Sequence, residues 1–439
     1  QTGAVAIQLA RHFQAAGLVL KAVDYLQQAG EQAVRSYAYQ EAIVIFNQAL
    51  TLLKSLPDTP ERARRELALQ IALGVPLMAA KGFSAPEVEK AYLRARELCQ
   101  QKETSQLFQV LWGLWLVYSA RGECRMAQTL GEQLLSLAQR LQDPDLLLQA
   151  HHTLWSSLLP AGAFTSARLH IQHGMELYDP QQHHAHTLLY GGHDPGVCCR
   201  CFAGPTLWFL GYPDQALQRM QEAVVLAQEL AHPLSLAESM YYLAILHQLR
   251  REDQATQART EAAIAFSAKH GIQLWEGWGM GLRGWGLVQR GREEAGAVKL
   301  REGLTAWQCP MQDGLLRPYF LALLAEAYGR GGQIEEGLSV VAEALAAAHQ
   351  TGECCYEAEL YRLKGTLLLK LDSVSGLGSV SDWGEGAVSA DLHKAEVCFQ
   401  HAIEVARRQH AKSLELRAVM SLSRLWQGRG KQAEAHKLL

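Results

Sequence analysis

Two small residues seven positions apart recur along this chain at a nearly fixed interval, and no other feature restricts its fold as much. In the clearest copy Ala216, Met220, Ala223 and Ala227 fall on one face at helical spacing. Ala216 and Ala223 are two turns apart, so a neighbouring helix can approach closely at both. The pair returns as Ala22/Ala29, Ala42/Ala49, Ala255/Ala262, Gly337/Ala344 and Ala395/Ala402, with imperfect copies beginning at Ala91, Ala127, Ala167, Ala295 and Ala433. The steps 127 to 167, 167 to 216, 216 to 255, 255 to 295 and 295 to 337 are 40, 49, 39, 40 and 42 residues. A period of about 40 built from paired helices predicts an all-α, right-handed solenoid with roughly two-thirds or more of its residues helical.

Each unit reads as helix, tight turn, helix. Leu207, Trp208 and Leu210 close one first helix, Gly211-Tyr212-Pro213-Asp214 turns the chain, and Pro213 sits just inside the second helix, where its missing N–H is harmless. Further turns are expected near Gly122, Gly162, Arg250, Gly291 and Gly331-Gly332, with Asp143-Pro144, His232-Pro233 and Arg317-Pro318 at the joins. Residues 4–56 read as three helices, turned at Gly17 and separated at Tyr37–Gln40. Thr59 caps a fresh helix with Pro60 at its first position, Gly82 ends it, and Ser84-Ala85-Pro86-Glu87 opens the next by the same logic. Two segments lengthen the period. Asp179–Val197, rich in Pro, Gly and His, is expected as a loop, and Asp372–Asp391 has the Ser/Gly composition of a mobile linker, with Trp383 its one candidate contact.

The small-residue spacing and the aromatic-Leu-Gly turn resemble tetratricopeptide repeats. More specifically, Lys81-Gly82-Phe83-Ser84-Ala85-Pro86-Glu87-Val88, Gly192-His193-Asp194-Pro195-Gly196-Val197, Leu210–Leu217 and Glu359–Gly365 are similar to the C-terminal region of large bacterial signalling proteins. Those proteins join an adenylate or guanylate cyclase, or another output domain, to an ATPase followed by tetratricopeptide repeats. The resemblance implies a sensor or docking region, with 1–102 as helical repeats adjoining an upstream ATPase domain and 103–439 as the superhelix, carrying loops at 179–197 and 372–391.

Composition narrows the partners. With 49% hydrophobic residues, 19% charged and a formal net charge of -3, the chain can bury a long core and has no cationic excess to favour nucleic acid or an acidic membrane. No long apolar run or signal peptide appears, so a cytoplasmic location is expected. A chain opening Gln1-Thr2 without Met reads as a piece of a longer polypeptide. Nine cysteines, including the adjacent pairs Cys198-Cys199 and Cys354-Cys355, suit reduced, buried thiols better than a disulfide framework.

Candidate chemistry is sparse. Gly279-Met280-Gly281-Leu282-Arg283-Gly284 matches GxGxxG, but it occupies a first-helix slot rather than a strand-to-helix turn, so its glycines are read as allowing close helix approach. No GxxxxGK[ST] loop exists, and no paired carboxylates or activated nucleophile stand out. His183, His184, His186, His193, Cys198 and Cys201 form the sharpest cluster, since imidazole and thiolate suit Zn²⁺. Their spacing matches no regular ligand motif, and the reading preferred is a solvated His-rich loop beside buried thiols, with no metal and no cofactor. His151-His152 point about 100° apart on a helix and are read as ordinary polar positions near Trp155.

The function expected is therefore a non-enzymatic protein-interaction and regulatory module, whose partner is a protein segment or the upstream domains of the same polypeptide. A small-molecule inducer that alters the curvature is the first alternative, and a metal-binding module using the His/Cys loop is the second. Trp208, Tyr241 and Tyr242, beside His193 and Asp194, are the candidate partner contacts.

Overall fold

The computed structural model describes residues 2–36, 38–99, 104–311, 316–374 and 390–439. Among them there are 22 α-helices and no strand, and 83% of the chain is helical, in line with the expected two-thirds or more. The N-terminal helices are α1 (Thr2–Ala15), α2 (Val19–Arg35), α3 (Tyr39–Lys54), α4 (Pro60–Lys81) and α5 (Pro86–Leu98). Helix pairs follow: α6 (Ser105–Ala120) with α7 (Cys124–Leu141), and α8 (Pro144–Leu158) with α9 (Phe164–Leu177). The long insertion holds α10 (Pro180–His183) and a 3-10 turn, His184–Leu188. Then come α11 (Pro195–Phe209) with α12 (Pro213–Glu229), α13 (Pro233–Leu249) with α14 (Asp253–His270), and α15 (Glu276–Gln289) with α16 (Glu293–Met311). The last pairs are α17 (Arg317–Arg330) with α18 (Ile334–Thr351), α19 (Glu357–Val374) with α20 (Ala390–Arg408), and α21 (Lys412–Gly428) with α22 (Gln432–Leu438). Of the Ser/Gly stretch, 372–374 close α19 and 390–391 open α20, while 375–389, with Trp383, lie outside the described residues.

First helices α6, α8, α11, α13, α15, α17, α19 and α21 touch in that order, which makes the chain a right-handed, tetratricopeptide-like solenoid with these helices around its axis. Local chemistry sets the boundaries. Thr59 Oγ1 accepts from the Arg62 N–H at 3.2 Å, and Asp143 Oδ1 from those of Asp145 and Leu146 at 2.9 and 3.3 Å. Ser84 does not cap α5: Ala85 holds that position, and Ser84 is buried with its carbonyl taken by Arg121 Nη2 at 3.2 Å. Gly122, Gly162, Gly211, Gly291 and Gly332 turn the pairs with φ of 72–92°. In the α13–α14 turn that left-handed position belongs to Arg251, φ 61°, one residue beyond the expected Arg250.

The small pairs are buried as expected at Ala22/Ala29, Ala42/Ala49, Ala216/Ala223, Gly337/Ala344 and Ala395/Ala402. In α14 the register is one residue later. Thr256, Thr260, Ala263 and Ser267 face the core at the same i, i+4, i+7, i+11 spacing as Ala216 to Ala227, whereas Ala262 is exposed. The two threonines pass as small residues because their hydroxyls bond the Glu252 and Thr256 carbonyls at 2.8 and 2.7 Å. The inward residues are likewise Gly296 rather than Ala295, and Ala435 rather than Ala433. With these corrections 216 to 256, 256 to 296 and 296 to 337 are steps of 40, 40 and 41, more even than the alanines alone suggest.

The GxGxxG segment is continuous helix, and its glycines serve contact. A Cβ on Gly284 would stand 2.8 Å from the Gly296 carbonyl oxygen, and one on Gly303 would stand 2.7 Å from that of Gly277. The backbones of α15 and α16 therefore touch directly.

Candidate functional site

The aromatic residues expected as partner contacts lie inside. Trp208, Tyr241 and Tyr242 are 4%, 1% and 7% exposed. Tyr242 packs on Phe202 and Trp278, with ring centres 5.3 and 5.6 Å away, while Tyr241 faces Trp275 at 6.1 Å. Together with Phe202, Pro205, Leu249, Tyr319 and Tyr356, Tyr242 lines an apolar cavity of about 40 Å³ on the axis of the superhelix. That is room for roughly three water-sized spheres, not for a metabolite.

One edge of the superhelix is closed by the chain's own C-terminal repeats. First helices α8, α11 and α13 end there, and the last carbonyls of a helix lack intrahelical donors. The Pro160 carbonyl, just past α8, accepts from the Cys355 N–H at 2.9 Å. The Trp208 carbonyl of α11 accepts from Ser413 Oγ, and the Leu249 carbonyl of α13 from Arg417 Nη2. Gln409 Nε2 adds a bond to the Cys354 carbonyl at 2.8 Å, and Lys412 presses against Gly211. Ser413 and Arg417 sit one turn apart on α21, so a single helix face takes two consecutive helix ends.

A charged cluster secures this edge. Glu359, 1% exposed, receives both forks of Arg362 at 2.9 Å, with Arg251 and Arg417 at 3.5 Å. Arg251 also bonds both oxygens of Glu326, at 2.7 and 2.8 Å. Burial alone would raise the Glu359 pKa, but Arg362, Arg417 and Arg251 outweigh it and hold the carboxyl at about 2. Nearby, Tyr319 Oη donates to Gln248 Oε1 at 2.7 Å. Glu359 and Arg362 lie in the stretch Glu359–Gly365 that carries the sequence resemblance, but nothing in that stretch announces their partners Arg251, Glu326 and Arg417. The available hint was Arg251, a non-glycine at a turn position where the sister repeats place glycine.

The histidine segment is not the solvated loop expected. His183 and His186 are 3% and 7% exposed, and Asp194 is fully buried. Asp194 caps α11, its Oδ1 accepting from the Gly196 and Val197 N–H groups at 2.9 and 3.1 Å, while His184 approaches its other oxygen at 3.3 Å. His183 Nε2 bonds Asp145 Oδ1 at 3.0 Å, and its Nδ1 accepts from the Asp179 N–H at 2.8 Å. Of the six cluster residues, His183 and His186 meet edge to face at 5.2 Å, while His193 and Cys198 join a group of three donors whose third member is His152. Cys201 is buried in the α11 core. Burial keeps His193 down at about 4 and His152 well below its ordinary range, so both rings are neutral at pH 7.

No family model matches the chain. A curated relative from Rhizobium meliloti (strain 1021), "Uncharacterized protein R02095", is 28% identical over 426 residues, covering 95% of this chain. The chain spans only 39% of that relative's length. Among solved structures, a Rap protein complexed with competence and sporulation factor matches with a TM-score of 0.47 at 10% identity, over 94% of this chain and 99% of that one. The APC/C hetero-tetramer Cut9–Hcn1 matches at 0.45 and 10%, over 91% and 76%, and the human IFIT1 dimer with m7Gppp-AAAA at 0.43 and 12%, over 95% and 88%. Among the described residues no helix is long and apolar enough to cross a membrane.

Proposed function

We propose that this chain is a non-catalytic docking and regulatory region of a larger bacterial signalling protein, which a partner segment or the ATPase or cyclase domains of the same polypeptide engage. The observation that carries the reading is the row of helix ends at Pro160, Trp208 and Leu249, an edge that captures polypeptide and is occupied by the chain's own Cys355 at the first and by α21 at the other two. A repeat architecture suits this use, since an edge made of identical helix termini extends with each repeat. The sequence resemblance to cyclase–ATPase fusions and the greater length of the Rhizobium relative support a larger parent protein. On this reading α21 competes with the partner, and 1–102 adjoins the remaining domains.

The test separates the upstream domains from this chain and measures their binding by calorimetry, for the wild type and for Ser413→Ala and Arg417→Glu variants with unchanged circular dichroism. Tighter binding is expected when α21 is loosened. No binding to the wild type or to either variant would end the reading. A small-molecule inducer is a second reading, favoured by the axial cavity lined by Tyr242 and Tyr319. At its closed size such a ligand must open the edge to enter, so a compound that raises the melting temperature should also expand the protein in solution.

A further inference from the structure

His152 on α8, His193 ahead of α11 and Cys198 in the first turn of α11 place three donor atoms within 4.8 Å of one another. His193 Nε2 stands 3.1 Å from His152 Nε2, and Cys198 Sγ stands 3.3 Å from that same nitrogen. A tetrahedral zinc ion separates two imidazole nitrogens by roughly 3.3 Å and a nitrogen from a thiolate by roughly 3.6 Å. We propose that His152, His193 and Cys198 bind one Zn²⁺, tying α8, the insertion and α11 together at the joint between two repeats.

The hydrogen bonds around the rings assign their free lone pairs. Gln149 Nε2, an amide nitrogen, can only donate, so the proton of His186 sits on Nε2, which faces the Asp145 carboxylate 3.9 Å away. His186 Nδ1 then accepts from Gln149 Nε2 at 3.0 Å. That orientation leaves Gln149 Oε1 to accept from His152 Nδ1 at 3.2 Å. The Cε1–Nδ1 edge of His193 lies against Gly191, 3.2 and 3.5 Å from where a Cβ would stand on that residue. His152 therefore turns an unprotonated Nε2 towards His193, and the tautomer of His193 protonated at Nδ1 does the same in return. Two lone pairs 3.1 Å apart repel, and a cation between them turns the repulsion into two bonds. An outer carbonyl or carboxylate holding the far nitrogen is the usual support of a metal-bound histidine.

Charge and packing agree. Glu238 on α13 is 5% exposed, close enough to Cys198 to feel its charge and without a partner at Oε2. One thiolate and this carboxylate balance a divalent ion, leaving the fourth position to Glu238 or to water. His152 is clamped flat on Trp155, ring centres 5.0 Å apart, with Trp112 and Trp115 edge-on at 5.9 and 5.7 Å. Two imidazoles and a thiolate favour Zn²⁺ over the oxygen-seeking Mg²⁺ and Ca²⁺.

The experiment loads the reduced, chelator-stripped chain with Zn²⁺ alone, desalts it and measures bound metal, then repeats with Cys198→Ala and His193→Ala. Cobalt substitution follows, read through the thiolate-to-cobalt charge-transfer band. One equivalent of zinc is expected in the wild type, with a tenfold or greater loss in each variant that keeps its circular dichroism, and a cobalt band absent from Cys198→Ala. Uptake below a tenth of an equivalent by the folded wild type, or equal uptake by both folded variants, overturns the site. Mg²⁺ or Ca²⁺ retained in place of zinc under equimolar competition overturns the metal assignment.

Discussion

The Arg417 guanidinium lies 4.9 Å from the centre of the Trp208 ring, and the same side chain donates to the Leu249 carbonyl and pairs with Glu359. One side chain from the penultimate helix thus spans two central first helices and the buried carboxylate that anchors the edge. Arginine suits the position because its planar fork can stack on an indole while its N–H groups still point outward to acceptors. Placed at the end of α13, its charge also complements the helix dipole.

Arg417→Ala should loosen the closure without unfolding the repeats. The cation–π contact and the bond to the carbonyl together should remove about 2 kcal/mol. Small-angle scattering should show a larger radius of gyration, and urea unfolding an earlier midpoint. If neither moves, the edge is held elsewhere.

Glu359 gives the closure an acid limit. Its carboxyl is held at about 2 against an ordinary 4.5, so its contribution is fully present above about pH 4.5 and disappears as pH falls towards 2. Glu359→Gln strips the arginines of their shared counter-charge and should cost about 3 kcal/mol at pH 7. The variant should also lose the steep fall in stability across that acid window. Matching midpoints for variant and wild type at pH 7 would contradict this.

Glu353 acts in the opposite sense. It accepts from the Leu316 N–H at 2.7 Å, and burial raises its carboxyl to about 8 from 4.5. The folded state then holds a proton that the unfolded chain gives up, so this group's contribution is lost as pH rises from 4.5 to about 8. Glu353→Gln keeps an acceptor and abolishes the titration. It should match the wild type near pH 5 and exceed it at pH 8.5 by on the order of 3 kcal/mol. Parallel denaturation curves at the two pH values decide the matter.

How much of this was readable from the chain depends on how far apart the partners lie. Caps, turn glycines and the 40-residue period act within one or two turns of helix, so Thr59, Pro144 and Gly211 could be placed from their neighbours. The one-residue slip in α14 arose because Ala255, Thr256, Ala262 and Ala263 are all small, and only the packed neighbour chooses between the registers. Weighing His151 and His152 as a pair missed His152 because its partners stand 41 and 46 residues away. The closed edge was beyond reach altogether, since meeting of Ser413 with Trp208 depends on the accumulated pitch of the repeats between them. The aromatic residues show the converse limit: Tyr241 and Tyr242 have the right composition for a groove and are consumed by the core.

The α15–α16 contact offers a sharper test, because glycines of one helix should respond oppositely to the same methyl group. Gly284 faces the Gly296 carbonyl oxygen at 2.8 Å and the Leu300 nitrogen at 2.9 Å from a built Cβ, both backbone atoms that cannot swing aside. Gly286, two residues on, meets only the Arg290 guanidinium at 3.9 Å. Both positions are helical, so alanine should gain from propensity at either one, by about 1 kcal/mol. At Gly286 nothing opposes that gain, and Gly286→Ala should be stabilising by about 0.5–1 kcal/mol. At Gly284 the helices must separate, and overpacking should outweigh the gain, leaving a net loss of about 1–3 kcal/mol. Urea midpoints of the two variants should therefore fall on either side of the wild type; two shifts of the same sign would mean that α15 and α16 are not in backbone contact.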